Sequence, residues 1–425
     1  MSTTSTIQKK SWNPFGQIGN NLIEKTRGDR VIWAIVLVLT LISLLVVYSS
    51  TGSLAFKSQK GNGIYLLKQS AFIVFGLVII YFAHRINYTI YSRIAVILFL
   101  VSIPLLLYTL MFGQSVNSAS RWIRLPVLNM TFQTSDLAKL ALFMYLARQL
   151  SKSQDRIKSF RKGFLPVMIP IGIICILIMP ANFSTAVLLG LSSLLLCFIG
   201  RVRVRHMAIV IGLALIPILA MVIVAKKTYN KETGESSELP AMLNIGRVPT
   251  WIKRVQNFMY PNKDAANDDH YQANQAKIAI AKGGIIGLGP GKSEQRNFLP
   301  DSFSDFIYVI VIEEYGFIGG AFLVLLYLLF LYRCIRIFRR CPFAFGAFLA
   351  LGLSFTLVIQ ALVNMAVAVN LFPVTGVTLP LVSMGGTSFL FTCFSIGIIL
   401  SVARNVEAQE GEEAAAKLKN TAIEQ

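Results

Sequence analysis

Ten long apolar runs, separated by short polar or charged intervals, dominate the chain. They fall at 31–50, 66–84, 92–112, 132–149, 164–181, 183–200, 206–225, 305–332, 343–369 and 378–403. Runs of ~20 residues match the ~30 Å hydrocarbon core of a bilayer. A helix satisfies its own backbone there, and the alternation that a membrane barrel needs is not visible. The pattern predicts an all-α membrane protein of ten transmembrane helices. One large extracytoplasmic loop, 226–304, lies between helices 7 and 8.

Composition agrees. Of 425 residues, 55% are hydrophobic and only 14% charged, too few charges for an ordinary soluble domain. The formal net charge of +20 would suggest nucleic acid in a soluble protein, but here the positive-inside bias explains it. Lys and Arg cluster at 150–163, 201–205 and 333–342, and the connections at 51–65, 182 and 370–377 carry little charge. This alternation places both termini inside. The divisions are a cytoplasmic tail over 1–30, a transmembrane domain over 31–404 and a cytoplasmic tail over 405–425. The first apolar run is long and has no small-residue cleavage pattern close behind it, so residues 1–30 read as a tail and not as a cleavable signal. The five cysteines are not in loops placed outside, which argues against a disulfide framework or a cysteine-based metal site.

Ionisable groups in or beside the bilayer are the informative ones. Asp305, at the outer mouth of the eighth run, reads either as a helix N-cap or as a general base. Glu313 and Glu314 lie deeper in that run and need a polar partner, as a structural ion pair or in a functional role. Asp136 and Lys139 stand three residues apart on one helix face. They form a structural pair, or Lys139 offers its charge to an anionic substrate. Arg121, Trp122 and Arg124 precede the fourth run, as interfacial anchors or as phosphate ligands. The glycine-rich stretch 283–291 lacks the strand and Gly-Lys-Ser/Thr ending of a nucleotide loop, so a tight turn with close backbone approach is the better reading. The small residues Ser383, Gly385 and Gly386 permit close packing or leave room for a bulky substrate. An amphipathic or re-entrant helix is expected around 271–285.

Four blocks, in order, resemble the SEDS family (shape, elongation, division and sporulation) of bacterial wall-polymerase proteins. The first is Arg121-Trp122-Ile123 with Gln133-Thr134-Ser135-Asp136-Leu137-Ala138-Lys139. The second is Tyr271-Gln272, Gln275 and Gly283-Gly284 through Gly289. The third is Leu299-Pro300, Asp305-Phe306 and Glu313-Glu314-Tyr315-Gly316. The fourth is Asn364, Pro373 through Pro380 and Ser383-Met384-Gly385-Gly386-Thr387-Ser388. Arg254-Val255, Phe258 and Pro261 lean toward the division-type branch over the elongation-type branch. The chain departs from the family pattern at Thr134 (usually Pro), Asp136 (usually Glu), Asn182 (usually Asp) and Met384 (often aromatic).

The resemblance implies a peptidoglycan glycosyltransferase that polymerises lipid II at the outer face of the inner membrane, for septal wall synthesis. Asp305 matches the family's essential aspartate and is the implied catalytic base. Arg121, Trp122, Lys139, Lys277, Arg254, Ser383, Gly385 and Gly386 are the implied substrate-binding set, with Asp136, Glu313 and Glu314 in support. No cofactor is evident, no metal-ligand cluster is expected, and a divalent cation at the pyrophosphate is chemically compatible. The implied partners are a class B penicillin-binding protein, other division or elongation proteins and membrane lipids, with no nucleic acid. A lipid II flippase, an elongation-type polymerase and a non-catalytic scaffold are the rival readings.

Overall fold

The structure, a computed structural model, describes residues 28–52, 61–116, 119–125, 130–229, 247–260, 268–300 and 302–423. A helix occupies each of the ten expected runs. They are α1 (Arg30–Ser50), α2 (Asn62–Arg85), α3 (Tyr88–Phe112), α4 (Thr134–Lys152), α5 (Leu165–Ile178), α6 (Phe183–Ile199) and α7 (Val204–Lys227), followed by α10 (Ile307–Arg340), α11 (Ala344–Ala368) and α12 (Gly386–Ile423). Two more, α8 (Val248–Met259) and α9 (Asp268–Gly283), lie in the long segment after α7.

Eight of the ten are long and apolar enough to cross a membrane. The two exceptions have different causes. The α6 helix is apolar but has only 17 residues, whereas α5 reaches a 19-residue span because the helical turn Phe160–Phe164 runs into it. In contrast, α4 carries Asp136, Lys139, Arg148 and Lys152, yet it lies deep in the bundle, packed on α3 and α11. Its surroundings are protein rather than lipid, so hydropathy understates its burial. The other inner helix is α11, 72% buried over its apolar window, against 6% for the peripheral α7.

In its overall fold the structure corrects the sequence reading at one point: the molecule is not wholly helical. Residues before α4 form a three-stranded antiparallel sheet, β1 (Gln114–Val116), β2 (Ala119–Leu125) and β3 (Met130–Gln133). Trp122 pairs with Gln133 and Ile123 with Phe132, which places a short stretch of aromatic and β-branched residues in extended backbone. Thr387, at the start of α12, ties the sheet down by donating to Thr131 O (3.1 Å) and accepting from Gln133 N (3.4 Å). Beyond residue 404, α12 continues as helix to Ile423.

The glycine-rich stretch after α9 lies backbone against backbone on α10. Leu288 N and Gly289 N donate to Glu313 O (3.0 Å) and Glu314 O (2.9 Å). In return, Phe317 N and Ile318 N donate to Gly284 O (2.9 Å) and Ile285 O (3.3 Å). The α10 helix is interrupted here, with Gly316 at φ 66°. A Cβ on Gly316 would collide with Ile285 O, and one on Gly287 (φ 92°) with Glu314 O. Both positions require glycine, for conformation and for space.

Candidate active site

Above the inner helices lies a cavity of about 920 Å³. The sheet, α4, α8, α11 and the loops preceding α10 and α12 converge on it. Asp305 lines it, half-buried, in the loop just ahead of α10. The N-cap position of α10 falls to Phe306, one residue after Asp305. The loop is held from the other side of the cavity. Asn364 Nδ2, on α11, donates to Asp305 O (2.8 Å) and Val377 O (2.6 Å). Ser383 Oγ donates to Ser304 O (2.7 Å) and accepts from Leu379 N (2.8 Å). Met384 N donates to Phe303 O (3.0 Å). Ser304 Oγ donates to the Asp305 carboxylate itself (3.0 Å).

The cavity walls carry more cations than anions. Lys139, Arg254, Arg247, Lys253 and Lys68 face it, against Asp305 and Asp136. Asp136 and Lys139 form the expected pair at 2.6 Å, with Lys139 Nζ also donating to Gln360 Oε1 (3.3 Å). Asp136 is 4% exposed, and its Oδ2 has no hydrogen-bond partner among the described residues. Two of the cations lie on α8 and a third, Arg247, at its N-cap, and Arg247, Thr250, Arg254 and Asn257 recur at helical spacing on the cavity side. The opposite side anchors α8. Gln256 Nε2 donates to Ala225 O (3.1 Å) and Thr228 Oγ1 (2.9 Å), and Trp251 packs on Phe183 with ring centroids 4.9 Å apart. Arg247 donates to Ala181 O (2.7 Å). Burial, and then the like charge of Arg254, lowers the Arg247 pKa.

Of the expected site residues, Trp122, Lys139, Asp136, Arg254, Gly385, Gly386 and Asp305 come together at the cavity. Arg121 has its backbone in β2, and its side chain lies outside the described residues. Lys277 is corrected: it is exposed on α9 and does not reach the cavity. Its neighbours Ala276 and Ala279 face inward, which turns Lys277 outward at ~100° per residue. Ser383 is corrected in role: it is 3% exposed and holds the Asp305 loop rather than lining the cavity.

Glu313 and Glu314 make no ion pair among the described residues, so the ion-pair alternative is not the one seen there. Glu313 accepts from Ser293 Oγ, Glu294 N (3.1 Å) and Gln295 N (3.1 Å). Glu314 accepts from Ser49 Oγ and Ser293 N (3.3 Å). Hydroxyl and N–H donors meet both charges, and together they fix the turn at 293–295 against α1 and α10. Sequence reasoning missed Arg247, Lys253 and Lys68. The recurrence along 247–257 was a usable signal for Arg247, but nothing in the sequence marks Lys68.

Fold and cavity together define a multi-pass membrane protein whose polar cavity is lined by an excess of cations and holds one carboxylate on a braced loop. The family model for the FtsW/RodA/SpoVE cell cycle proteins matches residues 29–408. The chain belongs to this family, the SEDS proteins. Among its relatives is the probable peptidoglycan glycosyltransferase FtsW of Geobacter sulfurreducens, 32% identical over 400 residues, with 92% of this chain and 99% of the relative covered. Stage V sporulation protein E of Bacillus subtilis is 29% identical over 385 residues, covering 90% and 98%. Among solved structures, a chain of a peptidoglycan synthase complex that coordinates polymerization and crosslinking matches at a TM-score of 0.68, with 23% identity, over 89% of this chain and 98% of that one. Rod shape determining protein RodA of Thermus thermophilus matches at 0.61, with 21% identity, over 89% and 97%. At these identities, the two structures support the fold.

Proposed function

We propose that this protein is a peptidoglycan glycosyltransferase that polymerises lipid II into glycan strands, in the division-type, septal role that its FtsW relatives suggest. The ten helices all cross the bacterial inner membrane, with both termini in the cytoplasm and the segment between α7 and α10 on the outer face. The observation that carries the reading is Asp305, braced at the wall of a cation-lined cavity of about 920 Å³. A volume of this order suits a lipid-linked sugar headgroup.

In the proposed step, the acceptor sugar's hydroxyl oxygen forms a bond to the anomeric carbon of the donor. Its proton passes to the Asp305 carboxylate, the bond from the anomeric carbon to the pyrophosphate breaks, and the polyprenyl pyrophosphate leaves with the electron pair. One displacement inverts the anomeric centre, so a single base suffices, with no carboxylate nucleophile. Lys139, Arg247, Lys253 and Arg254 stabilise the charge that develops on the leaving pyrophosphate. The proposed partner is a class B penicillin-binding protein, whose transpeptidase would crosslink the emerging strand.

The test is polymerisation of labelled lipid II by purified wild type and Asp305→Asn. Wild type should yield long glycan strands, and Asp305→Asn none, with folding and partner binding intact. Strands made equally well by Asp305→Asn would overturn the assignment. Scrambling of lipid II across liposomes without polymer would favour the flippase reading.

A further inference from the structure

At the far end of α6 from the cavity, two polar connections come together. Thr185, near the start of α6, lines the cavity, and 17 residues of helix carry the chain about 25 Å away at ~1.5 Å per residue. There, the end of α4 and the segment that follows it carry Lys152, Arg156, Lys158, Arg161 and Lys162, and the turn after α6 with the first residues of α7 carries Arg201, Arg203 and Arg205. All eight are exposed, and Asp155 is the one carboxylate in either segment. None of the eight makes an ion pair among the described residues. The positive-inside bias accounts for cations in each loop separately; it does not account for the way the loops are joined.

The joint is aromatic. His206 packs its ring against Phe160 and Phe164, both at 5.1 Å between centroids, which holds the two basic segments side by side. Arg201 adds a second sign of specific construction. The α6 helix ends in a motif where Val202 N donates to Cys197 O (3.2 Å) and Arg201 takes φ 61°. Glycine is the usual residue there, so an arginine accepts backbone strain of ~1 kcal/mol or more. Exposed apolar side chains border the cations: Phe160 (48% exposed), Leu165 (38%) and Val204 (63%). An apolar rim at the ends of two membrane helices, beside a surface of exposed cations, matches the chemistry of a lipid with an anionic head and acyl chains.

We propose that this joined surface is a binding site for anionic phospholipid in the leaflet opposite the cavity, with the phosphates held by Arg161, Lys162, Arg203 and Arg205 and the acyl chains lying along α5 and α7. The inference is independent of the reaction proposed for Asp305.

The test uses the full-length protein in detergent, titrated separately with phosphatidylglycerol and phosphatidylcholine, with bound lipid read by native mass spectrometry. Wild type should retain phosphatidylglycerol in clear preference. Each cation that reaches the lipid contributes about fivefold in affinity. Arg161→Gln, Lys162→Gln, Arg203→Gln and Arg205→Gln combined should therefore cut the preference at least ~tenfold. The set Arg161→Lys, Arg203→Lys and Arg205→Lys should keep it. If the quadruple variant fails to fold, His206→Ala provides the second measurement: it removes the joint and no arginine or lysine, and should weaken the preference. An unchanged preference in a folded quadruple variant, or in His206→Ala, would overturn the proposal. So would displacement of the lipid by equimolar inorganic phosphate, which would make the surface a general anion site.

Discussion

Asn364→Ala is the sharpest probe of how the cavity works, because it alters the Asp305 loop without touching a charge. Asn364 is 1% exposed, and its amide bridges Asp305 O and Val377 O. Removing it leaves two carbonyls without that donor. Buried unsatisfied groups cost ~1–3 kcal/mol each, so a loss of about 2–6 kcal/mol in stability is expected for the two carbonyls. The loop should not detach, because Ser383 still holds Ser304 O and Met384 N still holds Phe303 O. The carboxylate should shift rather than leave. A displacement of ~1 Å in a catalytic group can cost on the order of 100-fold in rate. The cations on α8 keep their own anchors through Gln256 and Arg247, so donor binding should barely change. Lipid II polymerisation with purified protein should thus show kcat down by roughly 100-fold and KM within about threefold. Thermal unfolding in the same detergent separates this from simple loss of folded protein. A variant with lowered Tm whose folded fraction turns over at the wild-type rate would refute the bracing argument.

Other perturbations follow from the same geometry. Gly316→Ala should abolish accumulation of folded protein in the membrane, since it meets both the positive φ and Ile285 O, whereas Gly212→Ala, in open space on α7, should be neutral or slightly stabilising; expression and melting temperature report both. Lys139→Met leaves Asp136 buried without its cation and should cost about 3 kcal/mol or more; adding Asp136→Asn should recover much of that loss in a thermal double-mutant cycle. Glu313→Gln keeps the shape but gives up the charge that three donors share, and should lower stability by ~1–3 kcal/mol by the same measurement. Arg247→Gln with Lys253→Gln should raise the KM for lipid II several-fold and flatten its dependence on salt, because fewer cations remain to meet the pyrophosphate.

Much of the fold was legible because membrane helices announce themselves through unbroken apolarity. Even α4 was recognisable, since Leu140 through Leu146 keep a buried face despite Asp136 and Lys139. What escaped were features whose partners are distant in the chain. The β2 strand holds a turn of sequence that reads as interfacial anchor residues until β3 pairs with it. The acids Glu313 and Glu314 were rightly expected to need partners, but Ser49 lies on another helix and the 293–295 turn folds back through an irregular path. The α8 helix was overlooked because it is short and polar, its identity resting on a repeat of cationic and uncharged polar residues along one face. Lys277 was misplaced for the opposite reason: its sign suited the chemistry, but the inward alanines beside it decided its direction.

The ladder between 284–289 and 313–318 fixes a length. It ties off the chain between Gly289 and Glu313 as a closed loop whose base is stapled by backbone hydrogen bonds, and Asp305 rides on that loop. One residue inserted within it would have to bulge outward or drag the acid along the cavity wall. Changes in length should therefore accumulate elsewhere, in the connections before α8 and α9, while this stretch keeps its residue count as a ruler keeps its marks.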